Sequence, residues 1–259
     1  MIKKYTVALM ASSLLIGFTA CKNDDDDKNE VESYVEVSQA ERDALDDDAI
    51  QKFLSNHYFH PINGKITTKD TIVGTNPTTG INDDDYKTLD EFAQKDAKGV
   101  IYVLNPNATA EGRSVINNEN DSILLHVEAR HFRPTQLSTK RYYFNSMLPY
   151  STTVETNIPL KDPSFYYYPL TQSLIDLGYK KEYFELPNFV EGLKQFKSTE
   201  RDPNDLYHMQ GVIILPSRLA FARRKAFVGS GITDSGDIGY RDRSFIFSFE
   251  LLKVTDRKK

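Results

Sequence analysis

The chain has 259 residues, 39% of them hydrophobic, with fifteen phenylalanines, fifteen tyrosines and a formal net charge of −5. That is enough apolar material for one large or two small domains, and the acidic balance argues against nucleic acid or anionic lipid as a partner. A single cysteine excludes an internal disulfide.

The first element is an export signal. Basic Lys3 and Lys4 lead into an apolar stretch from Val7 to Phe18 and then into small Thr19 and Ala20, the order of a secretory signal peptide. The stretch is too short to cross a bilayer comfortably as a permanent helix. Phe18-Thr19-Ala20-Cys21 resembles a bacterial lipobox. The resemblance implies that residues 1–20 are removed and that the Cys21 sulfur becomes a lipid anchor, carrying diacylglycerol and palmitate-type chains; the alternative is a free cysteine beside an ordinary cleavage site. The acidic run Asp24-Asp25-Asp26-Asp27 resembles the export tags of some Gram-negative surface lipoproteins. Read as electrostatics alone it is a self-repelling spacer. Together these features lead us to expect an outer-membrane lipoprotein, on its periplasmic or cell-surface face. Acyl chains contribute about 0.8 kcal/mol per buried methylene, so a multiply acylated terminus needs no second span.

Residues 21–37 read as an acidic tether and 38–98 as a helical and irregular extension. Ser38-Gln39-Ala40-Glu41 has capping-box spacing, and Ala44, Leu45, Ala49, Ile50, Phe53 and Leu54 fall on one helical stripe, which predicts a helix to about Asn56. Asn76-Pro77 and Gly80 mark turns. Asp83-Asp84-Asp85 is a solvated loop or a cation site, but it lacks the glycine and distal glutamate of an EF-hand. His57 and His60 have no evident third metal ligand. We expect no metal and no cofactor.

From Gly99 the pattern turns to strands. Gly99 to Leu104 is one; Ser122 to Arg130 is another, with Ile123, Leu125, Val127 and Ala129 on one face and His126, Glu128 and Arg130 on the other. That parity puts His126 on a wet face. Phe189-Val190-Glu191-Gly192-Leu193-Lys194-Gln195-Phe196 is a short helix with Phe189, Leu193 and Phe196 in line. Val212 to Leu215 is a buried strand ended by Pro216, and in the last strand Phe245, Phe247, Phe249 and Leu251 alternate with Ile246, Ser248 and Glu250. This order predicts an α+β fold, an antiparallel curved sheet packed on one short helix, with the N-terminal helical extension beside it.

Taken in order, these segments resemble the FKBP-type peptidyl-prolyl isomerases over about residues 99–254. The resemblance is carried by Gly99 to Tyr102, Asp121 to Ala129, Phe144-Asn145-Ser146, Tyr166 to Leu170, Phe189-Val190-Glu191-Gly192-Leu193, Leu215 to Phe221 and Phe245 to Val254. It implies an FKBP-like domain over 99–259. Phe144, Asn145, Leu186, Phe189, Phe221 and Phe247 then fall at its catalytic pocket and Val127, Tyr166, Glu185 and Ile238 at its substrate contacts. Several of these depart from the family pattern. Val127 stands where the family has a tyrosine, Asn145 where it has an aspartate, Phe189 where it has the floor tryptophan, and Phe221 lacks the hydroxyl that holds the substrate carbonyl. Segments around 146–185, 197–211 and 222–243 are longer than in the family.

What the resemblance implies chemically is rotation about an X-Pro bond, whose twisted transition state lies some 18–20 kcal/mol above the planar amide. A dry aromatic cavity favours that less polar state without a nucleophile, and the Leu186 amide would take the carbonyl. The partners would be proline-containing segments of exported proteins. The competing reading is a catalytically inactive FKBP-fold module that binds a peptide, a glycan or a partner lipoprotein, to which the runs Tyr142-Tyr143-Phe144 and Phe165 to Tyr168 would lend aromatic surface. A third reading, a hydrolase, finds no GxSxG elbow and no recognisable triad order among Ser217, Ser146 and the five histidines.

Overall fold

The computed structural model describes residues 34–258, except 70–74, 76–79, 138–139 and 145–146. The signal peptide, Cys21, the acidic run and Asn145 lie outside the described residues. Tyr34–Lys259 is one compact unit. In chain order it holds α1 (Gln39–Asn56), the hairpin β1 (His57–Phe59) and β2 (Ile66–Thr68), β3 (Ala93–Lys95), β4 (Ile101–Leu104), β5 (Asp121–Phe132), the hairpin β6 (Thr135–Leu137) and β7 (Lys140–Tyr142), β8 (Leu148–Thr152) and β9 (Leu160–Lys161). There follow α2 (Gln172–Asp176), α3 (Pro187–Leu193), β10 (Gly211–Leu215), the hairpin β11 (Ala226–Val228) and β12 (Gly231–Thr233), and β13 (Ser244–Asp256).

The main sheet has the order β3-β4-β10-β13-β5-β8, with β9 also pairing β5, and its pairings are antiparallel. This is the α+β arrangement expected from the sequence. The two longest strands, β13 and β5, lie side by side, Phe245 opposite His131 and Asp256 opposite Asp121, with a register shift between Leu251 and Lys253.

One face of the sheet packs on α3. Phe245, Phe247, Phe249 and Leu251 of β13, Leu125, Val127 and Ala129 of β5 and Ile213 of β10 join Phe189 and Leu193 in a single buried cluster. Full burial of such side chains stabilises the fold by about 1.5–3 kcal/mol each. The helix can lie this close because Gly192 has no side chain: a Cβ there would stand 2.9 Å from Ile213 Cγ2.

The opposite face is covered as well, and here the structure corrects the alternation read from the sequence. α1 lays Ala49, Ile50, Phe53 and Leu54 over Val212, Ile214, Ile246, Ile101 and Val103. The Ser38 side chain caps α1 by accepting from the Glu41 amide at 3.2 Å. Ala44 is exposed; the buried stripe instead includes Arg42 and Asp46, which no apolar pattern could reveal. Arg42 donates to the Pro134 carbonyl at 2.6 Å and Asp46 accepts the Ser217 amide at 3.0 Å, so both polar groups enter the core with partners.

His126, expected on a wet face, is fully buried, and so is Glu250 on the same side of the neighbouring strand β13. Glu250 accepts from Arg201 Nη1 (2.8 Å), the His208 amide (2.7 Å) and Thr199 Oγ1 (3.2 Å). Hydrogen bonds from the 199–208 segment thus stand where water was expected.

Nor are residues 34–37 a free tether. The Tyr34 amide donates to Asp237 Oδ1 at 2.7 Å, its hydroxyl to Asp242 Oδ2 at 2.9 Å, and Glu36 accepts from Arg241 Nη2 at 2.5 Å. The extension continues into the sheet, since β3 pairs β4 across residues 96–100.

Gly192 offers a direct test of the helix-to-sheet approach. Gly192→Val should lower the unfolding free energy by about 1–3 kcal/mol through overpacking, and Ile213→Ala in the same chain should restore part of that loss. A double-mutant cycle by urea unfolding measures the coupling; additive losses would contradict the close packing.

Candidate functional site

The residues that the resemblance assigns to a proline pocket divide into three groups. Val127, Tyr166, Leu186, Phe189, Phe221 and Phe247 gather on the α3 side of the sheet, each at most 1% exposed. Phe144 sits on the other side, edge-on to Phe53 at 6.2 Å and to Phe132 at 5.4 Å, with the whole sheet between it and the rest. Ile238 is 71% exposed.

Most of the first group is interlocked with its neighbours among the described residues. The rings of Phe189 and Phe247 are 4.6 Å apart, and Phe165 packs against both at 5.0 and 5.2 Å. Tyr150 from β8 closes over Phe247 at 6.2 Å, Phe165 at 5.7 Å and Phe245 at 4.9 Å. Phe221 stacks on Tyr240 at 5.4 Å. These spacings lie in the usual range for aromatic pairs in contact, so side chains of this chain occupy the room a pyrrolidine ring would need.

The polar groups of the implied site are also engaged. The Leu186 amide, which would receive a substrate carbonyl, donates to the Phe165 carbonyl at 2.8 Å. Tyr166 donates its hydroxyl to the Asp121 carbonyl at 3.0 Å, and burial raises its pKa. Glu185 accepts from the Tyr168 amide (2.8 Å) and from Asn118 Nδ2 (3.2 Å), while burial pushes its carboxyl up.

Phe165 and Tyr150 were not singled out by sequence reasoning as pocket residues. Both lie in the long 146–185 segment, and the signal that could have found them is the density of aromatic residues there. Three further aromatics of the two Tyr- and Phe-rich runs have partners of their own. Tyr168 stacks on Phe184 at 3.7 Å, the Arg257 guanidinium covers Tyr167 at 3.6 Å, and Lys52 lies 4.7 Å from the Tyr143 ring centre.

Beside this cluster His131 packs on Tyr240 and Phe245, and its Nδ1 lies 3.4 Å from Arg243 Nη1. Burial, reinforced by the charges of Arg243 and Arg133, lowers its pKa to about 3.

One open feature among the described residues is a cleft of about 310 Å³ on the α1 side of the sheet, between α1, the β1–β2 hairpin and strands β5 and β13. Phe53, Ile66, Met147 and Ile246 supply apolar lining; His57, Lys65, Thr68, Glu128, Arg130 and Ser248 supply the polar groups. Glu128 is 2.9 Å from Arg130 Nη2 and 3.7 Å from Lys65 Nζ. His57 stacks on Phe53 at 4.1 Å, with Nδ1 2.7 Å from the Phe53 carbonyl and Nε2 3.2 Å from Thr68 Oγ1.

Among the described residues no group of three or more His, Cys, Asp or Glu side chains is placed to hold a metal ion, and no helix is long and apolar enough to cross a membrane. Asp83, Asp84 and Asp85 form a 3-10 turn capped by Asn82, and Asp83 accepts the Tyr58 hydroxyl at 2.7 Å.

No family model matches the chain, and no curated protein matches it. Among solved structures it is similar to FkpA from Escherichia coli, at 16% identity and a TM-score of 0.33 over 64% of this chain and 53% of that one. It is also similar to a peptidyl-prolyl cis-trans isomerase from Pseudomonas syringae, at 10% identity and a TM-score of 0.35 over 86% of this chain and 99% of that one. The chain thus spans about half the length of FkpA. At these TM-scores neither likeness carries an argument about activity, and the α+β assignment rests on the strand order and packing above.

The depressed pKa of His131 gives a signed prediction. Its folded-state value of about 3 lies below the ordinary value of about 6.5, so its contribution is fully present above pH 6.5 and drains as pH falls toward 3, by at most about 1.4 kcal/mol per pH unit. His131→Phe should flatten stability against pH in that window, read from urea midpoints at pH 7, 6, 5 and 4. An unchanged slope would contradict a buried neutral imidazole.

Proposed function

We propose that this chain is a lipid-anchored binding module of the bacterial envelope, built on an FKBP-like scaffold whose aromatic centre serves packing in place of proline isomerisation. The observation that carries this reading is the interlocked set Phe165, Phe189 and Phe247 under Tyr150, with the Leu186 amide already bonded to Phe165. Catalysis by differential binding needs a cavity that admits the proline ring and a free donor for its carbonyl. Both requirements are met inside the chain by its own groups.

Support for anchoring comes from the lipobox-like Phe18-Thr19-Ala20-Cys21 and the following aspartates, which favour the outer membrane as the place of work. Support for the scaffold comes from the order of the resembling segments. That order also sustains a second reading, a slow isomerase acting on proline-containing segments of exported proteins, and the two readings differ in a rate.

The unlipidated chain beginning at Lys22 should leave the isomerisation of a prolyl tetrapeptide at its uncatalysed pace of tens of seconds. Val127→Tyr and Phe221→Tyr should not raise it and should lower stability by about 1–3 kcal/mol, because each adds atoms to a packed core. Acceleration by the parent protein that Phe189→Leu removes would restore the isomerase reading.

A further inference from the structure

The cleft on the α1 side of the sheet belongs to no part of the implied isomerase site. At about 310 Å³ it falls at the small end of the range of ligand pockets, and three features of its lining agree about what it would hold.

The first is an apolar base. Phe53 and Ile246 are each 4% exposed, and Ile66 and Met147 flank them. The second is Ser248, whose hydroxyl is buried and, among the described residues, without a hydrogen-bond partner, on a residue only 3% exposed. An unmet buried hydroxyl is destabilising, and an oxygen or nitrogen arriving in the cleft would relieve it. The third is charge. Lys65 and Arg130 share the single carboxylate of Glu128, and His57 stays neutral because burial lowers its pKa. Among the described residues of the lining one positive charge is therefore left over at the rim, and half of the Arg130 side chain is open to solvent.

We propose that this cleft binds a small amphipathic monocarboxylate, its apolar body on Phe53, Ile66, Met147 and Ile246, its carboxylate on Arg130 and Lys65, and a polar atom within reach of Ser248. A bidentate guanidinium contact to a carboxylate supplies geometry as well as charge, and the apolar base rewards length in the acyl or aryl body. The same chemistry is offered by a free organic acid and by the C-terminal residue of a peptide. This deepens the binding-module reading and draws its biological sense from it.

The test is calorimetric titration of the unlipidated protein with octanoate and 3-phenylpropionate, against their neutral amides. The acids should bind at least about tenfold more tightly than the amides. Arg130→Gln should weaken the acids by about tenfold or more while leaving the thermal midpoint in place, and Ser248→Ala should weaken them several-fold. A leucine-terminated tripeptide and its amidated form make the second arm: tighter binding of the free tripeptide than of octanoate assigns the cleft to polypeptide ends, and weaker binding assigns it to free acids. Equal affinity for acids and amides, indifference to Arg130→Gln, or no binding of any probe would overturn the proposal. Failure here is distinguishable from failure of the module reading, since prolyl isomerisation by a protein that still binds octanoate would sink only the latter.

Discussion

The central strand β13 is buried on both faces for most of its length, so most of its side chains are packed against other elements of the fold. Its odd-numbered positions, Phe245, Phe247 and Phe249, spend their apolar surface on α3 and β5. Its even-numbered positions are mixed: Ile246 meets the apolar face of α1, while Glu250 draws on Arg201, Thr199 and His208. The N-terminal extension follows as a requirement. Without α1, the apolar face formed by Ile101, Val103, Val212, Ile214 and Ile246 would lie open, a patch of the kind that drives association.

The same constraint explains why a scaffold resembling an isomerase lacks the hollow. A pocket on the α3 side exists only where neighbouring segments leave the sheet uncovered. Here the 146–185 segment returns across it, contributing Tyr150 through β8 and Phe165 just ahead of Tyr166, and the 222–243 segment brings Tyr240 onto Phe221. That second segment is bonded to Tyr34 and Glu36, so the start of the folded unit is fastened to the cover of its aromatic centre. Arg133 adds to the same contact by lying 4.7 Å from the centre of the Tyr34 ring.

What the sequence made legible was whatever follows from periodicity and capping. α1 begins where Ser38 and Glu41 place it, the strands at 101–104, 211–215 and 244–256 fall where apolar runs indicated, and the helix at 187–193 occupies the Phe189 to Leu193 segment. Period-two alternation failed at His126 and Glu250 for a definite reason. Alternation records polarity, and a polar side chain reads as solvated whether its partner is water or a buried arginine. Arg42 and Asp46 were hidden in the same way inside the stripe of α1. The candidate site was less legible than the fold, because a phenylalanine that lines a cavity and one that fills it have the same pattern in a strand.

That ambiguity bears on what the resembling segments mean. They are densest at 189–193 and 245–254, and the residues there bury one another: Phe189 on Phe247 and Phe249, Gly192 against Ile213, Leu193 within the same cluster. They are thinnest at the positions that would touch a substrate, where Val127 offers no ring, Phe221 no hydroxyl and Ile238 no shelter. A set of segments that agrees in packing residues and diverges in contact residues transmits an architecture, since helix-on-sheet packing is satisfied by volume and patterning, while chemistry needs particular atoms at particular distances. Under the binding-module proposal, a ligand is therefore to be sought where polar groups remain unspent. On the α3 side the Leu186 amide, Glu185 and the Tyr166 hydroxyl are all committed; across the sheet the Ser248 hydroxyl has no partner among the described residues.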